Sequence, residues 1–262
     1  MEEILLKMES ACDIVGAFQL QHWNKVSAEA VNDKSLNQLV SFVDQQSEEM
    51  LVEALLSAVP GSTVIGEESA SENRELTEYT WVIDPLDGTT NFLHGLPVFS
   101  ISIALLHNGV PVIAIVDCPV LNERFTAIKG KGARLNGFSI QVAGNSLLKD
   151  SLLATGFPYH NFTEMQAYLD VLTHFMQNTR GLRRMGSAAI DLAYTACGRF
   201  DAFFELNLSP WDIAAGVLLV TEAGGKVSTF DGKTDVVFEN QILASSNELY
   251  PEMLQVLQSS FE

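Results

Sequence analysis

Apolar residues recur at helical spacing from the start of the chain. Ile4, Leu5, Met8, Cys12, Val15 and Phe18 fall on one side of a 3.6-residue period, so residues 3–23 read as an amphipathic helix. A polar stretch, Asn24–Gln38, separates it from a second helical pattern running from about Val40 to Val59, which Pro60-Gly61 stops. The period then changes. Ser62–Gly66 and Thr80–Ile83 read as short buried strands. Ser100–Leu106 and Pro111–Val116 flank Asn108-Gly109, a dipeptide that accepts the positive φ of a tight hairpin turn. Phe125–Ile128 and Ala133–Leu135 continue as strands, with Gly130, Gly132 and Gly137 at turns. Up to about residue 148, helices come first and an antiparallel-looking sheet follows, which is an α+β order.

Beyond that point the elements alternate. Ser151–Ala154 reads as a strand, Thr163–Gln177 and Ser187–Cys197 as helices, and Ala202–Leu206 as a strand. Pro210–Gly224 reads as a helix, Lys226–Thr229 as a strand and Glu248–Ser259 as a final helix. This is α/β order. The chain is therefore expected to comprise an α+β half, residues 1–148, and an α/β half, residues 149–262. No internal repeat, low-complexity tract or flexible linker separates them, so they are expected to pack as one body.

Composition narrows the function. Of 262 residues 47% are hydrophobic, which suffices for a substantial core and argues against disorder. The formal charge of −18 repels phosphate backbones and favours bound metal cations, so a nucleic-acid binder is not expected. No apolar run is long enough to span a bilayer, and the acidic start MEEILLKMESACD does not resemble a secretory signal. Cys12, Cys118 and Cys197 form no C-x-x-C pair, so a reduced, cytoplasmic protein without structural zinc is expected.

The chemistry concentrates in Trp81-Val-Ile-Asp84-Pro-Leu-Asp87-Gly-Thr89-Thr90. A buried strand ends in two aspartates three residues apart across a turn stiffened by Pro85, so both carboxylates can enter one pocket. Gly88 permits close backbone approach, and Thr89 or Thr90 can open a helix whose first N–H groups suit an anion. As plain turn residues these would have no task, but two further acidic edges join them. Gly66-Glu67-Glu68-Ser69 places Glu67 or Glu68 after an apolar strand, and Pro210-Trp211-Asp212 places Asp212 in the first turn of an apolar helix. Asp212 would also complement that helix dipole.

Carboxylates beside an anion site repel a phosphate unless cations intervene. No His or Cys accompanies these acids, so a hard cation such as Mg²⁺ is favoured, with the Leu86 carbonyl as a further oxygen donor. Glu67, Asp84, Asp87 and Asp212 supply four negative charges, and a phosphate dianion brings the total to about −6. Two divalent ions leave a deficit and three cancel it, so more than one ion is expected.

Three groups of residues carry a resemblance to the inositol monophosphatase family: Gly66-Glu67-Glu68-Ser69, Trp81 through Phe92, and Trp211-Asp212-Ile-Ala-Ala-Gly216 with Thr221-Glu-Ala-Gly-Gly225. Arg183–Ala189 and Gly198–Glu205 extend it over nearly the whole chain. The resemblance implies a layered α-β-α-β-α sandwich of the sugar-phosphatase type, Mg²⁺-dependent phosphomonoesterase activity, lithium inhibition and a homodimer. It implies that Glu67, Asp84 and the Leu86 carbonyl hold a first metal. Asp84, Asp87 and Asp212 would hold a second, and Glu67 would assist a third. It places Gly88 and Thr89 at the phosphate, Asp44 with Thr89 beside the attacking water, and Gly186, Ser187, Ala188 and Glu205 at the alcohol of the substrate. The resemblance implies that Asp87 and Asp212 would reach that substrate too. One departure stands out: Lys34-Ser-Leu-Asn37-Gln-Leu-Val40-Ser41 lacks the aspartate that often follows the family lysine.

The expected activity is hydrolysis of a small phosphate monoester, with inositol monophosphate as leading substrate. Sister activities on fructose 1,6-bisphosphate, histidinol phosphate or a 3′-phosphonucleotide are the alternatives within the enzyme class. A regulatory binding protein of the transcription machinery is the alternative outside it. The five histidines are scattered, and Cys118 and Cys197 read as buried small hydrophobes. Arg183-Arg184 could meet phosphate, a loop carboxylate or a dimer partner.

Overall fold

The amphipathic start forms α1, Glu2–His22, which buries Met8, Ala11, Cys12 and Val15 against the first sheet. The computed structural model describes residues 1–25, 31–35, 38–69, 76–157 and 163–261, with side chains left aside at 31–35 and 38–41. The polar stretch after α1 contains a hairpin rather than plain loop, β1 (Val31–Ser35) paired antiparallel with β2 (Gln38–Ser41). The second helix, α2 (Phe42–Ala58), therefore starts after Ser41. The altered Lys34–Ser41 motif falls on side chains outside the described residues.

Seven strands follow in one sheet: β3 (Thr63–Gly66), β4 (Tyr79–Asp87), β5 (Ser100–His107), β6 (Val110–Cys118), β7 (Glu123–Ile128), β8 (Ala133–Leu135) and β9 (Phe138–Ser139). A five-residue helix, α3 (Thr89–Leu93), interrupts them after β4. Strand order follows the chain, and only β3 and β4 run parallel. Period-2 alternation sends Ile101, Ile103, Leu105, Ile113 and Ile115 toward α1 and α2, while Ala104, Leu106, Ala114 and Val116 face the opposite layer.

The second sheet combines β10 (Leu152–Thr155), β11 (Gly181–Arg183), β12 (Ala202–Leu206), β13 (Lys226–Ser228) and β14 (Gln241–Ser245) in the order β11-β10-β12-β14-β13. β10, β11 and β12 run parallel, and β14 is antiparallel to both its neighbours. β11 and β14 escape a reading by pattern because each is short and lacks alternation. The helices of this part are α4 (Met165–Asn178), α5 (Ala188–Ala196), α6 (Pro210–Glu222) and α7 (Tyr250–Phe261).

These elements stack in five layers: α1 with α2, the seven-stranded sheet, α5 with α6, the five-stranded sheet, and α4 with α7. The middle helices meet a sheet on each side, which explains why α5 buries nearly every position and α6 most of its own. They also approach one another closely. A Cβ on Gly216 would stand inside contact distance of the Leu192 side chain. This layering brings the carboxyl end of β4 against the amino ends of α5 and α6.

Candidate active site

The β4–β5 ladder runs in register to Asp84↔Ser102 and resumes at Asp87↔Ser100, so Pro85 and Leu86 bulge out where the proline has no N–H to give the ladder. The bulge is braced by its own aspartate, since Leu86 N–H donates to Asp84 Oδ1 at 2.9 Å. Asp87 turns instead toward the second half of the chain. Its Oδ2 accepts the Ser187 hydroxyl, the Ala189 N–H at 2.9 Å and the Ser100 hydroxyl at 3.4 Å. The expected substrate turn, Gly186-Ser187-Ala188, is thereby tied to a predicted metal ligand through the first turn of α5, where Ser187 is the N-cap.

Gly88 follows with φ +93°, and a Cβ there would lie 2.9 Å from the Val98 carbonyl oxygen and 3.3 Å from that of Gly186. Only glycine satisfies both demands. Thr89 opens α3, and its hydroxyl lies 2.8 Å from Asp44 Oδ1 and 3.1 Å from the Leu86 carbonyl oxygen. Asp44 is 1% exposed, so the acid in the first turn of α2 points inward. One turn later the buried Glu48 accepts the Glu68 N–H at 2.9 Å, and its Cδ sits 2.6 Å from the point where a Gly66 Cβ would stand. A single face of α2 thus holds both the β4 turn and the Gly66–Ser69 segment. Glu67 itself is half-buried beside it.

Asp212 lies in the first turn of α6, where Ser209 N–H donates to its Oδ2 at 2.6 Å. Glu205, on β12, places its carboxyl in the space a Gly156 side chain would fill. The guanidinium of Arg184 likewise occupies the space over Gly186.

These acids feel one another. Burial, then the charges of Glu67, Asp87 and Asp212, push the Asp84 carboxyl well above the usual carboxylate range. Burial raises Asp87 to about 6 against the pull of the hydrogen bonds from Ser187, Ala189, Ser100 and Ala188. Asp212 rises to about 8, through burial and the charges of Asp87 and Glu205. Glu205 also rises to about 8 by burial, with Arg184 opposing and Asp87 adding to the shift. Among the described residues no three His, Cys, Asp or Glu side chains close into a ready cage for an ion. The four acids share one electrostatic neighbourhood without being drawn together.

The donor set nonetheless fits hard divalent cations. It offers only oxygen, and a backbone N–H anchors one carboxylate oxygen of Asp84 and one of Asp212. Those N–H groups hold Asp84 Oδ1 and Asp212 Oδ2, and the mutual repulsion of the carboxylates is the force a divalent ion removes.

Pattern reading missed Gln19, Glu48 and Asp191. Gln19 is a buried glutamine on the apolar side of α1, and Glu48 stands at i+4 from Asp44, a spacing that puts both on one helix face. Asp191 is buried in α5 with Oδ1 unpartnered among the described residues, and burial with the charges of Glu205 and Asp87 raises it strongly. Two of the histidines make ring contacts, His22 against Phe18 and Phe42 and His107 stacked on Tyr79. Cys12 and Cys118 are buried thiols that burial pushes upward, and no disulfide forms among the described residues. A groove of about 710 Å³ between α1 and β6–β8 is lined by Cys12, Asp117 and Arg124, and none of the site acids borders it. No described helix is long and apolar enough to cross a membrane.

Comparison with known proteins places this arrangement. A putative Nus factor SuhB of Neisseria meningitidis serogroup B is 44% identical over 242 residues, covering 92% of this chain and 93% of the relative. An inositol-1-monophosphatase of Caulobacter vibrioides is 40% identical over 241 residues, covering 91% and 94%. The crystal structure of extragenic suppressor protein SuhB from Bartonella henselae superposes with a TM-score of 0.90 at 35% identity, covering 97% of this chain and 98% of that one. The model of the inositol monophosphatase family matches residues 1–262, and with the layered fold shared over that length, the chain belongs to the inositol monophosphatase family.

Proposed function

We propose that the chain hydrolyses a small phosphate monoester, with inositol monophosphate as leading substrate, and that Mg²⁺ ions load the acidic site. The observation that carries this reading is the joint perturbation of Asp84, Asp87 and Asp212 around one turn beside the hydrogen-bonded Thr89–Asp44 pair. Glu67, Asp84 and the Leu86 carbonyl would hold a first ion, Asp84, Asp87 and Asp212 a second, and Glu67 would help a third. Bound there, such ions supply charge neutralisation for the phosphate and lower the pKa of water.

The protein's own groups do the rest. Backbone N–H groups of Gly88 and Thr89 cradle the phosphate, where the left-handed Gly88 opens α3 without a side-chain cap. Water between Glu67 and Thr89 would attack phosphorus as the P–O bond to the alcohol breaks. The water's proton passes to Thr89 Oγ while the Thr89 hydroxyl proton moves to Asp44 across their 2.8 Å contact, and the departing alcohol oxygen takes its proton from solvent. Gly186, Ser187, Ala188 and Glu205 face the alcohol, and Ser187 couples that turn to Asp87. The assembly is taken to be a homodimer in the reduced cytoplasm.

Phosphate release over a panel of phosphometabolites, with and without Mg²⁺ and with lithium as competitor, tests this reading. Release that is Mg²⁺-dependent, lithium-sensitive and greatest with inositol monophosphate supports it. A fructose bisphosphate, histidinol phosphate or phosphonucleotide preferred tenfold or more moves the substrate to a sister activity.

The Neisseria relative's name, a putative Nus factor, favours a second reading, in which the chain serves chiefly as a regulatory partner of the transcription machinery. Stoichiometric recovery of that machinery in a pull-down, together with negligible phosphate release, would favour it over the enzyme.

A further inference from the structure

Along α1 the buried positions Met8, Cys12 and Val15 step at helical spacing to residue 19, where the pattern demands an apolar side chain and the chain places a fully buried glutamine. Gln19 Nε2 donates to the Pro85 carbonyl oxygen at 2.7 Å and lies 3.3 Å from Ser47 Oγ on α2. Its Oε1 has no hydrogen-bond partner among the described residues. A methionine or leucine would fill this position without a stranded acceptor, whose burial is unfavourable. What the glutamine adds is the donor.

The carbonyl it holds belongs to the Pro85–Leu86 peptide unit, and the N–H of that same unit donates to Asp84 Oδ1 at 2.9 Å. Because the unit is planar, holding its oxygen also aims its N–H. A continuous hydrogen-bond chain therefore runs from the Gln19 amide through one peptide to the Asp84 carboxylate, polarised in one direction along its length. Pro85 has no N–H and is bulged out of the ladder, so its carbonyl is the point by which the body of the protein can grip this turn. The following carbonyl, Leu86, faces Thr89.

We propose that Gln19, 66 residues from the turn in sequence, is a positioning residue for divalent-cation binding: it sets the plane of the Pro85–Leu86 peptide and so directs Asp84 Oδ2 and the Leu86 carbonyl toward the ion. The inference rests on the reading of the acidic site as a cation site. It extends that site to a side chain outside the acidic motifs.

Gln19→Met keeps the length and burial of the side chain and removes the donor. Substrate-free titration with Mn²⁺, followed by electron paramagnetic resonance, should show binding weakened about tenfold relative to wild type, the scale of one lost hydrogen bond. The Mg²⁺ concentration for half-maximal phosphate release should shift by the same factor, with kcat at saturating Mg²⁺ and substrate KM within about twofold. Equal Mn²⁺ binding by the two proteins overturns the role of Gln19 and leaves the cation site standing. So does a fall in saturated kcat with no change in Mg²⁺ dependence. Wild type that binds no Mn²⁺ overturns both. Should the variant fail to fold, the side-chain amide resonance of Gln19 in wild type is the readout. It should shift on Mg²⁺ addition, and a resonance that stays fixed while the Gly88 amide moves overturns the proposal.

Discussion

In metal-free protein the acidic site should make stability fall as pH rises. Asp87 starts from an ordinary value of 3.8 and reaches about 6 in the folded chain, and Asp212 reaches about 8. Between these limits the folded state holds protons that the unfolded chain has released. The site's contribution to the slope of unfolding free energy with pH is therefore negative: its stabilisation is fully present below the unfolded value of 3.8 and is lost as pH climbs through 6 toward 8. For the buried Asp87, the rise from 3.8 to about 6 corresponds to about 3 kcal/mol between its protonation states. At ~2–4 °C per kcal/mol for a chain of this size, Asp87 contributes on the order of 6–12 °C. Asp191 and Asp117, raised mainly by burial, add the same sign. Divalent cations should counter only the part owed to the site. Calorimetric melting at pH 5, 6, 7 and 8, in chelator and in Mg²⁺, separates the two. The melting temperature should fall with pH in chelator, and the gain on adding Mg²⁺ should grow as the carboxylates ionise. A melting temperature that rises from pH 5 to 8 in chelator, or a Mg²⁺ gain that shrinks with pH, would refute the reasoning.

Three further outcomes are expected. Gly156→Ala puts a methyl group where the Glu205 carboxyl sits, at the flexible end of that side chain, so the fold should survive while the carboxylate is displaced. Its kcat/KM for inositol monophosphate should fall roughly 10–100-fold, the scale of a lost charged hydrogen bond, with hydrolysis of p-nitrophenyl phosphate nearly unchanged. Thr89→Ala removes the hydroxyl facing Asp44, and kcat should fall about 100-fold or more with KM little altered, as steady-state kinetics would show. Gly216→Ala forces its methyl group against Leu192 between α5 and α6, and chemical denaturation should register a loss of about 1–3 kcal/mol.

Much of the architecture was legible in the chain because its periods are strong. The alternation in β5 and β6 and the apolar stripe of α1 each answer to one neighbouring layer. Elements that depend on distant partners were not legible. β14 exists because β12 and β13 offer it two edges, and β1 with β2 occupies a stretch whose composition is that of a loop. At the candidate site, the Asp84–Thr90 turn was readable from proline and glycine chemistry, and Asp212 from its place in an apolar helix. Asp44 could be named only by resemblance, since nothing in α2 marks an inward-pointing acid until Thr89 stands 2.8 Å away.

The amino-acid order thus determines which side chains are apolar, where turns can form, and that oxygen ligands outnumber every alternative in the acidic motifs. Tertiary structure alone decides what those oxygens face. Ser187 meets Asp87 across 100 residues, and Gln19 meets Pro85 across 66. The physical reason is that periodicity reports contacts repeated along an element, whereas a single hydrogen bond between two layers leaves no period behind.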